Sequence, residues 1–369
     1  VNSLTLALIL ILFPFALFAQ IASPSFEYSS VGENPATAGA RTVGVITAFA
    51  DYDKNTANIQ FEEDGNKFNF IRVTTIKRFQ FIYAGARSKI IPEVYFSHNI
   101  GERTYSGNDK ETTTLNNGFI NVAFNIFSRL KFGVKFLKPI NERNTSYQSS
   151  AAAPTVYYSK TKYKSDILGY GGGAILETIK GLHFGYFYLR QKEKFDYETE
   201  SGILNGTADD VFKDSRGDEQ VYYTKGYGVS WTMGNQRSRA YRFEVSFSRM
   251  DPIPQLYGEN NLIEPSKRYG AAVEAVYGGF LLGGSIYRTK GAYINFRNYM
   301  DYVMADTPSY DEYQNTYSGF FGFNSPRGHS IGISASAYKT NNEKIRTGNG
   351  EHKAAVESFG FGLSYAFLF

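Results

Sequence analysis

The sequence predicts an all-β chain: a transmembrane antiparallel up-and-down β-barrel of about 14 strands, with an irregular N-terminal segment as a candidate plug of the lumen. Three observations lead there. Apolar and polar residues alternate with period two, connections alternate between short and long, and the last strand carries a large apolar side chain at every second position.

Composition narrows the function classes first. The 369 residues include 31 Phe, 29 Tyr, a single Trp and 36 Gly. There is no Cys, which removes disulfides, thiolate metal sites and a cysteine nucleophile. The four histidines, His98, His183, His329 and His352, are too scattered for a metal cluster, so neither a metal nor a cofactor is expected. The 39 basic and 35 acidic residues are spread along the chain, and a net charge of +4 does not suggest a nucleic-acid partner. A mean hydropathy of -0.33 excludes a helical multi-span protein but not a barrel, whose strands need only one apolar face.

The N-terminal run Leu4–Ala19 carries no charge and has the length of a secretory apolar region. Ala19 and Ala22 offer two cleavage positions, although no basic residue precedes the run and the first is Arg41. An uncleaved anchor helix is the alternative. The expected organisation is a signal peptide over 1–22, an N-terminal segment over 23–41 and a barrel over 42–369, placed in a bacterial outer membrane.

Strand patterning carries the fold. Leu130, Phe132, Val134 and Phe136 alternate with Lys131, Gly133 and Lys135; Tyr241, Phe243, Val245 and Phe247 alternate with Arg242, Glu244, Ser246 and Ser248. Successive side chains on a strand point to opposite faces, so each segment has one greasy and one polar face. Short connections are expected near Thr74–Arg78, Phe127–Leu130, Ile179–Leu182, Gly234–Arg239, Tyr277–Phe280 and Asn324–Gly328. Longer polar ones are expected over Asp51–Asn66, Arg103–Glu111, Asn141–Lys164, Asp196–Gln220, Met250–Lys267, Lys290–Asp311 and Thr340–Lys353. A membrane barrel keeps short turns at one end and long loops at the other, whereas a soluble sandwich has no reason to.

The closing segment Phe359–Phe369 places Phe359, Phe361, Leu363, Tyr365, Phe367 and Phe369 on one face. It resembles the C-terminal signal of outer-membrane barrels, and that resemblance implies the barrel-assembly machinery and outer-membrane lipid as partners. Tyr and Phe at Tyr157–Tyr158, Tyr186–Tyr188, Tyr222–Tyr223 and Phe320–Phe321 are expected to form interfacial girdles.

Little in the chain suggests catalysis. No glycine-rich phosphate loop or HExxH occurs, and the acidic stretch Asp209, Asp210, Asp214, Asp218 and Glu219 reads as solvated loop carboxylates rather than a calcium site. A barrel hydrolase would need a serine and a histidine together on the outer face, and neither His183 nor His329 beside Ser330 is placed for it. The chain is expected not to be an enzyme. By the alternation, Lys131, Lys135, His183, Arg242, Glu244 and Glu274 project into the lumen, where charges of both signs suit a wet channel, a network around a plug, or a salt-bridged wall.

Phe26–Gly32, Ala36–Arg41 and Ala48–Asn55 resemble the N-terminal region of the long-chain fatty-acid and toluene transporters, the FadL family. The resemblance implies 14 strands, an N-terminal hatch inside the lumen and a kinked third strand that opens sideways into the membrane. The order departs from the family, since Asn34–Pro35–Ala36 precedes the Ala-Asp element that it follows there. Pro92 lies in the long segment Phe79–Arg103 and is the candidate for the kink; a plain turn over Ser88–Pro92 is the alternative. The functional expectation is a passive channel for small, hydrophobic molecules. A general diffusion porin for polar solutes and a scaffold or adhesin presenting long loops are the alternatives.

Overall fold

The computed structural model describes residues 21–23, 25–26, 33–63, 66–86, 88–105, 110–138, 140–148, 156–204, 211–235, 239–251, 266–290, 309–310, 314–347 and 350–369. Residues 1–20, and with them all of the expected signal peptide except Ile21 and Ala22, lie outside the described residues.

A 3-10 turn over Pro35–Ala40 precedes the wall. The strands then follow as β1 (Val45–Glu63), β2 (Asn66–Ala84), β3 (Ile90–Tyr105), β4 (Lys110–Phe127), β5 (Leu130–Leu137), β6 (Ile140–Gln148), β7 (Val156–Ile179) and β8 (Leu182–Leu204). The second half comprises β9 (Phe212–Asn235), β10 (Arg239–Met250), β11 (Ser266–Tyr277), β12 (Phe280–Lys290), β13 (Ser309–Tyr310), β14 (Gln314–Asn324), β15 (His329–Thr347) and β16 (Gly350–Leu368). β5 and β6 each pair with β4 and β7, so they form two parts of one barrel strand, the first ending at Leu137 and the second beginning at Ile140. The short β13 only flanks β15. The wall is thus a closed antiparallel barrel of 14 strands, as the patterning predicts.

Closure is made by β1 on β16, in register from Val45 opposite Leu368 to Gln60 opposite Lys353. This pairing leaves no free edge in the wall, which lipid would not tolerate. The closing strand behaves as its alternation dictates: Phe359, Phe361, Leu363, Tyr365, Phe367 and Phe369 are 39% to 61% exposed on the outside, while Ser358 and Ala366 are buried on the inside. Large apolar residues are exposed in the same way around the rest of the wall, for example Phe81, Phe96, Ile120, Val134, Leu168, Phe184, Phe243, Val273, Phe321 and Ile333. Water would not favour a continuous apolar belt of this kind, and lipid does. Moving the six side chains of β16 from water to hydrocarbon is worth about 10 kcal/mol or more.

Turn chemistry separates the two ends. Gly181, Gly234, Gly278, Gly279 and Gly328 all adopt positive φ, and all lie at the short-turn end. Gly278 and Gly279 together form the two-residue link between β11 and β12 with φ of 56° and 91°, the conformation that a tight hairpin of twisted strands requires.

Several expected connections prove to be strand. Thr74–Arg78 is the middle of β2, and the real turn lies between Ala84 and Ile90. Asp51–Asn66 is mostly β1, Asp196–Gln220 is mostly β8 and β9, Thr340–Lys353 is mostly β15 and β16, and β6 and β7 extend into Asn141–Lys164. The reason is that polarity marks the lumen here as well as the loops. Arg78 and Asp51 face inward and form an ion pair at 2.9 Å. Strands of 24 residues such as β7 and β9 are also far longer than the membrane is thick. About 24 residues at ~3.3 Å each, tilted by ~40°, rise roughly 60 Å, against an apolar band of about 25 Å. The upper half of these strands stands clear of hydrocarbon and is polar on the outside too. Asp214, Asp218 and Glu219, expected in a loop, belong to β9; Asp209 and Asp210 lie outside the described residues. In the girdles, Tyr186 and Tyr188 point outward as expected, but Phe320 is buried inside and only Phe321 faces out.

Candidate functional site

The lumen is the concave site of this fold, and the described part of the N-terminal segment lies in it. Ile21, Ala22, Ser23, Ser25 and Phe26 are all buried, as are Asn34 and most of the 3-10 turn. Asn34 caps that turn by accepting from the Ala36 N–H, and its amide donates to the Ile21 carbonyl at 2.7 Å and to the Ala174 carbonyl of β7 at 3.1 Å. The inner wall leaves room for the segment through glycine. A Cβ at Gly133 would strike the backbone of Pro35 and Ala36, and one at Gly185 would strike the Ile21 carbonyl.

Two ionic clusters grip the segment. In the first, β10 and β11 bring Arg242, Glu244 and Glu274 together, because Arg242 stands directly opposite Glu274 and Glu244 is two residues along the same face. The Arg242 guanidinium donates to Glu244 at 2.5 Å and to Glu274 at 2.9 Å, and all three are buried. One cation between two carboxylates leaves an excess of acceptor capacity, which the N-terminal segment takes up. The backbone N–H groups of Ile21, Ala22 and Ser23 donate to Glu244 at 2.7, 3.3 and 3.1 Å. The Ser25 hydroxyl and the Phe26 backbone N–H donate to Glu274 at 2.6 and 2.7 Å. Arg242 in turn donates to the Ser23 hydroxyl and carbonyl. Charge-assisted bonds of this kind are about twice as strong as neutral ones.

The second cluster lies across β3, β4 and β5. Arg41, at the end of the 3-10 turn, reaches Glu93 at 3.7 Å, with both side chains buried. Lys135 donates to the Glu33 carbonyl at 3.4 Å and sits 4.3 Å from the centre of the Phe119 ring. Nearby on β3, the hydroxyl of Ser97 and the carbonyl oxygen of Asn99 are buried without a hydrogen-bond partner among the described residues. Buried polar atoms of this type are ordinarily met by water or by a ligand.

Of the residues expected in the lumen, all six lie on inward faces. Arg242, Glu244 and Glu274 converge on one point; Lys135 belongs to the second cluster; Lys131 and His183 are inward but outside both. Glu93, Arg41 and Asn34 are not among the residues that the alternation assigns to the lumen. Glu93 could have been, since it takes the inward place on its strand beside Pro92. Pro92 itself is exposed near the start of β3, opposite Val122; β3 pairs with β4 in unshifted register on both sides of it, while its pairing with β2 begins one residue later, at Glu93. Pro92 sits beside the turn between β2 and β3, where its carbonyl accepts from the Gly85 N–H and its missing N–H breaks no run of ladder bonds. His329 faces outward with its Nδ1 2.7 Å from the Tyr365 hydroxyl, while Ser330 is buried inside, so the two do not form a nucleophile and base.

Towards the short-turn end the lumen turns apolar. Phe26 packs there with Val43, Val45, Ala84, Ala240, Val276, Leu281, Phe320 and Ala366, drawn from β1, β2, β10, β11, β12, β14 and β16. A small cavity of about 10 Å³ borders this patch beside Leu281, Phe320, Ser330 and Ala366, enough for about one water molecule.

No protein-family model matches the sequence, and no curated protein matches it. Solved structures do. The chain is similar to a Pseudomonas aeruginosa FadL homologue, with a TM-score of 0.62, 10% identity, and coverage of 90% of this chain and 92% of that one. It is similar to a deletion mutant of the monoaromatic hydrocarbon channel TodX, with a TM-score of 0.58, 10% identity, and coverage of 95% and 96%. The Ralstonia pickettii toluene transporter TbuX aligns with a TM-score of 0.54 at 9% identity, over 91% of this chain and 92% of that one. At these identities the likeness concerns the fold.

Proposed function

We propose that this chain is an outer-membrane channel for passive uptake of small hydrophobic molecules, gated by its own N-terminal segment. The observation that carries the reading is the clip at Glu244 and Glu274, which holds a backbone segment inside the lumen where a diffusion porin needs open water. An apolar patch around Phe26, Leu281 and Phe320 offers a solute lipophilic contact below that clip. The three neighbours described above are named as a FadL homologue, a monoaromatic hydrocarbon channel and a toluene transporter, which fits the same class.

The deciding experiment uses purified protein in planar bilayers and in liposomes. The expected result is small, infrequent ionic conductance together with accelerated entry of a hydrophobic probe such as toluene. Large, steady conductance would instead identify an open porin and remove the proposal. Export and cleavage of the leader after Ala19, the position that keeps Ile21 and Ala22 in the mature chain, belong to the same reading, and N-terminal sequencing of the protein from membranes tests them.

A further inference from the structure

Outside the lumen, one row of charges has no structural explanation. Lys225 on β9 stands directly opposite Arg249 on β10, Arg249 stands directly opposite Lys267 on β11, and Lys267 stands opposite Lys290 on β12. Lys225, Arg249 and Lys267 share the outward parity of Tyr227, Phe243 and Tyr269, whose side chains are exposed. Like charges placed directly opposite on one face of a sheet destabilise it. Asp251 relieves only part of this, with its carboxylate 3.4 Å from Arg249, and among the described residues no carboxylate forms an ion pair with Lys225 or Lys267.

The height of the row is informative. Immediately below it runs an aromatic layer in which Tyr186 contacts Tyr227 and Phe247 contacts Tyr269. Arg190 of β8, beside the row, donates to the Tyr170 hydroxyl at 2.9 Å. At the opposite end of β10, Tyr241 lies eight residues before Arg249. Eight residues at ~3.3 Å, tilted by ~40°, rise roughly 20 Å, close to the thickness of the apolar band. The cations therefore lie at the headgroup level, at the end away from the short turns, where β9 continues beyond the row and β10 and β11 stop.

We propose that Lys225, Arg249 and Lys267 form a binding site for a lipid with clustered phosphates on its headgroup, a phosphorylated glycolipid of the outer leaflet. The acyl chains lie along the aromatic layer, and the phosphates bridge cations that otherwise repel one another. The proposal rests on the reading of the chain as an outer-membrane barrel.

The test compares the wild-type protein with Lys225→Ser/Arg249→Ser/Lys267→Ser, both in phosphatidylcholine nanodiscs titrated with diphosphorylated lipid A and followed by native mass spectrometry. With each cation at a membrane surface contributing about fivefold in affinity, the triple variant should bind lipid A about a hundredfold more weakly. Millimolar inorganic phosphate should not displace the lipid. Equal affinity of the two proteins overturns the site, and displacement by phosphate overturns the lipid as its source. If the triple variant does not fold, Lys225→Gln/Lys267→Gln carries the same comparison. Failure of the wild type to enter nanodiscs, or its solubility without detergent, would overturn the membrane reading itself, and that outcome is distinct from weak lipid binding by a properly inserted barrel.

Discussion

Removing the carboxylate of Glu244 tests the clip most directly. In Glu244→Ala the three backbone N–H groups of Ile21, Ala22 and Ser23 lose their acceptor, while Arg242 keeps Glu274. A buried donor left without a partner costs about 1–3 kcal/mol, and all three regain water when the segment leaves the lumen. The low end of that range already sums to about 3 kcal/mol, or roughly a hundredfold in the equilibrium between seated and released segment. The wall should be unaffected, because Glu244 contributes to it through backbone ladders that the substitution keeps. The chain has no native Cys, so a single thiol can report release. Ala22→Cys is suited to this, since Ala22 is 0% exposed and only its backbone joins the clip. In detergent micelles, maleimide should label this thiol about a hundredfold faster in the Glu244→Ala background, and ionic conductance in bilayers should rise with it. Equal labelling rates in the two backgrounds would refute the argument that Glu244 seats the segment.

Other perturbations probe the wall and the cradle. Gly185→Val should unseat Ile21, because even a Cβ meets its carbonyl, and the same labelling assay should show faster reaction with unchanged barrel migration on gels. Leu363→Arg puts a charge on the lipid side of β16 inside the apolar band, where Leu363 is 54% exposed on a rung with Ala50 and Phe79; a loss of about 2–4 kcal/mol is expected in reversible urea unfolding into vesicles. Gly278→Ala forces a side chain into positive φ in an open turn, with nothing else for it to strike. The expected cost is about 1–2 kcal/mol in the same unfolding assay, from backbone strain alone.

The fold was legible in the sequence for a physical reason. Lipid accepts only one kind of side chain, so every strand must present an apolar residue at each outward place, and the period of two shows through even at 10% identity to proteins of the same shape. The lumen is less restrictive. Its polar residues look like loop residues, which is why Thr74–Arg78 read as a turn although Arg78 is an inward ion-pair partner of Asp51. Above the membrane the constraint disappears altogether. Lys160, Lys162 and Lys164 on β7 stand opposite Glu200, Glu198 and Asp196 on β8, so the outward face there is charged and offers no greasy stripe to reveal a strand. The inward direction of Arg242, Glu244 and Glu274 followed from parity. Their partners did not, because Ser23 lies 219 residues from Arg242 and no local pattern links the two. The signal that remained was glycine: Gly133, Gly173 and Gly185 occupy inward places on adjoining strands, where only a closely approaching segment explains so little side chain.

The strand count came out right despite a misplaced turn, and closure explains why. The Gly44 N–H donates to the Phe369 carbonyl and the Phe369 N–H to the Gly44 carbonyl, both at 3.0 Å, so the two ends of the wall meet antiparallel at the short-turn end. A closed antiparallel barrel of this kind must contain an even number of strands, since each turn reverses direction and the last must oppose the first. Moving the first short turn from Thr74–Arg78 to the link between Ala84 and Ile90 lengthens β2 and trims β3 but adds no reversal. Had both stretches been turns, or neither, the first and last strands would still have needed to run antiparallel, and a further compensating turn would have had to appear elsewhere. The alternation of outward residues leaves no place for one: β4, β7, β8 and β9 each run unbroken for 18 residues or more between their flanking turns.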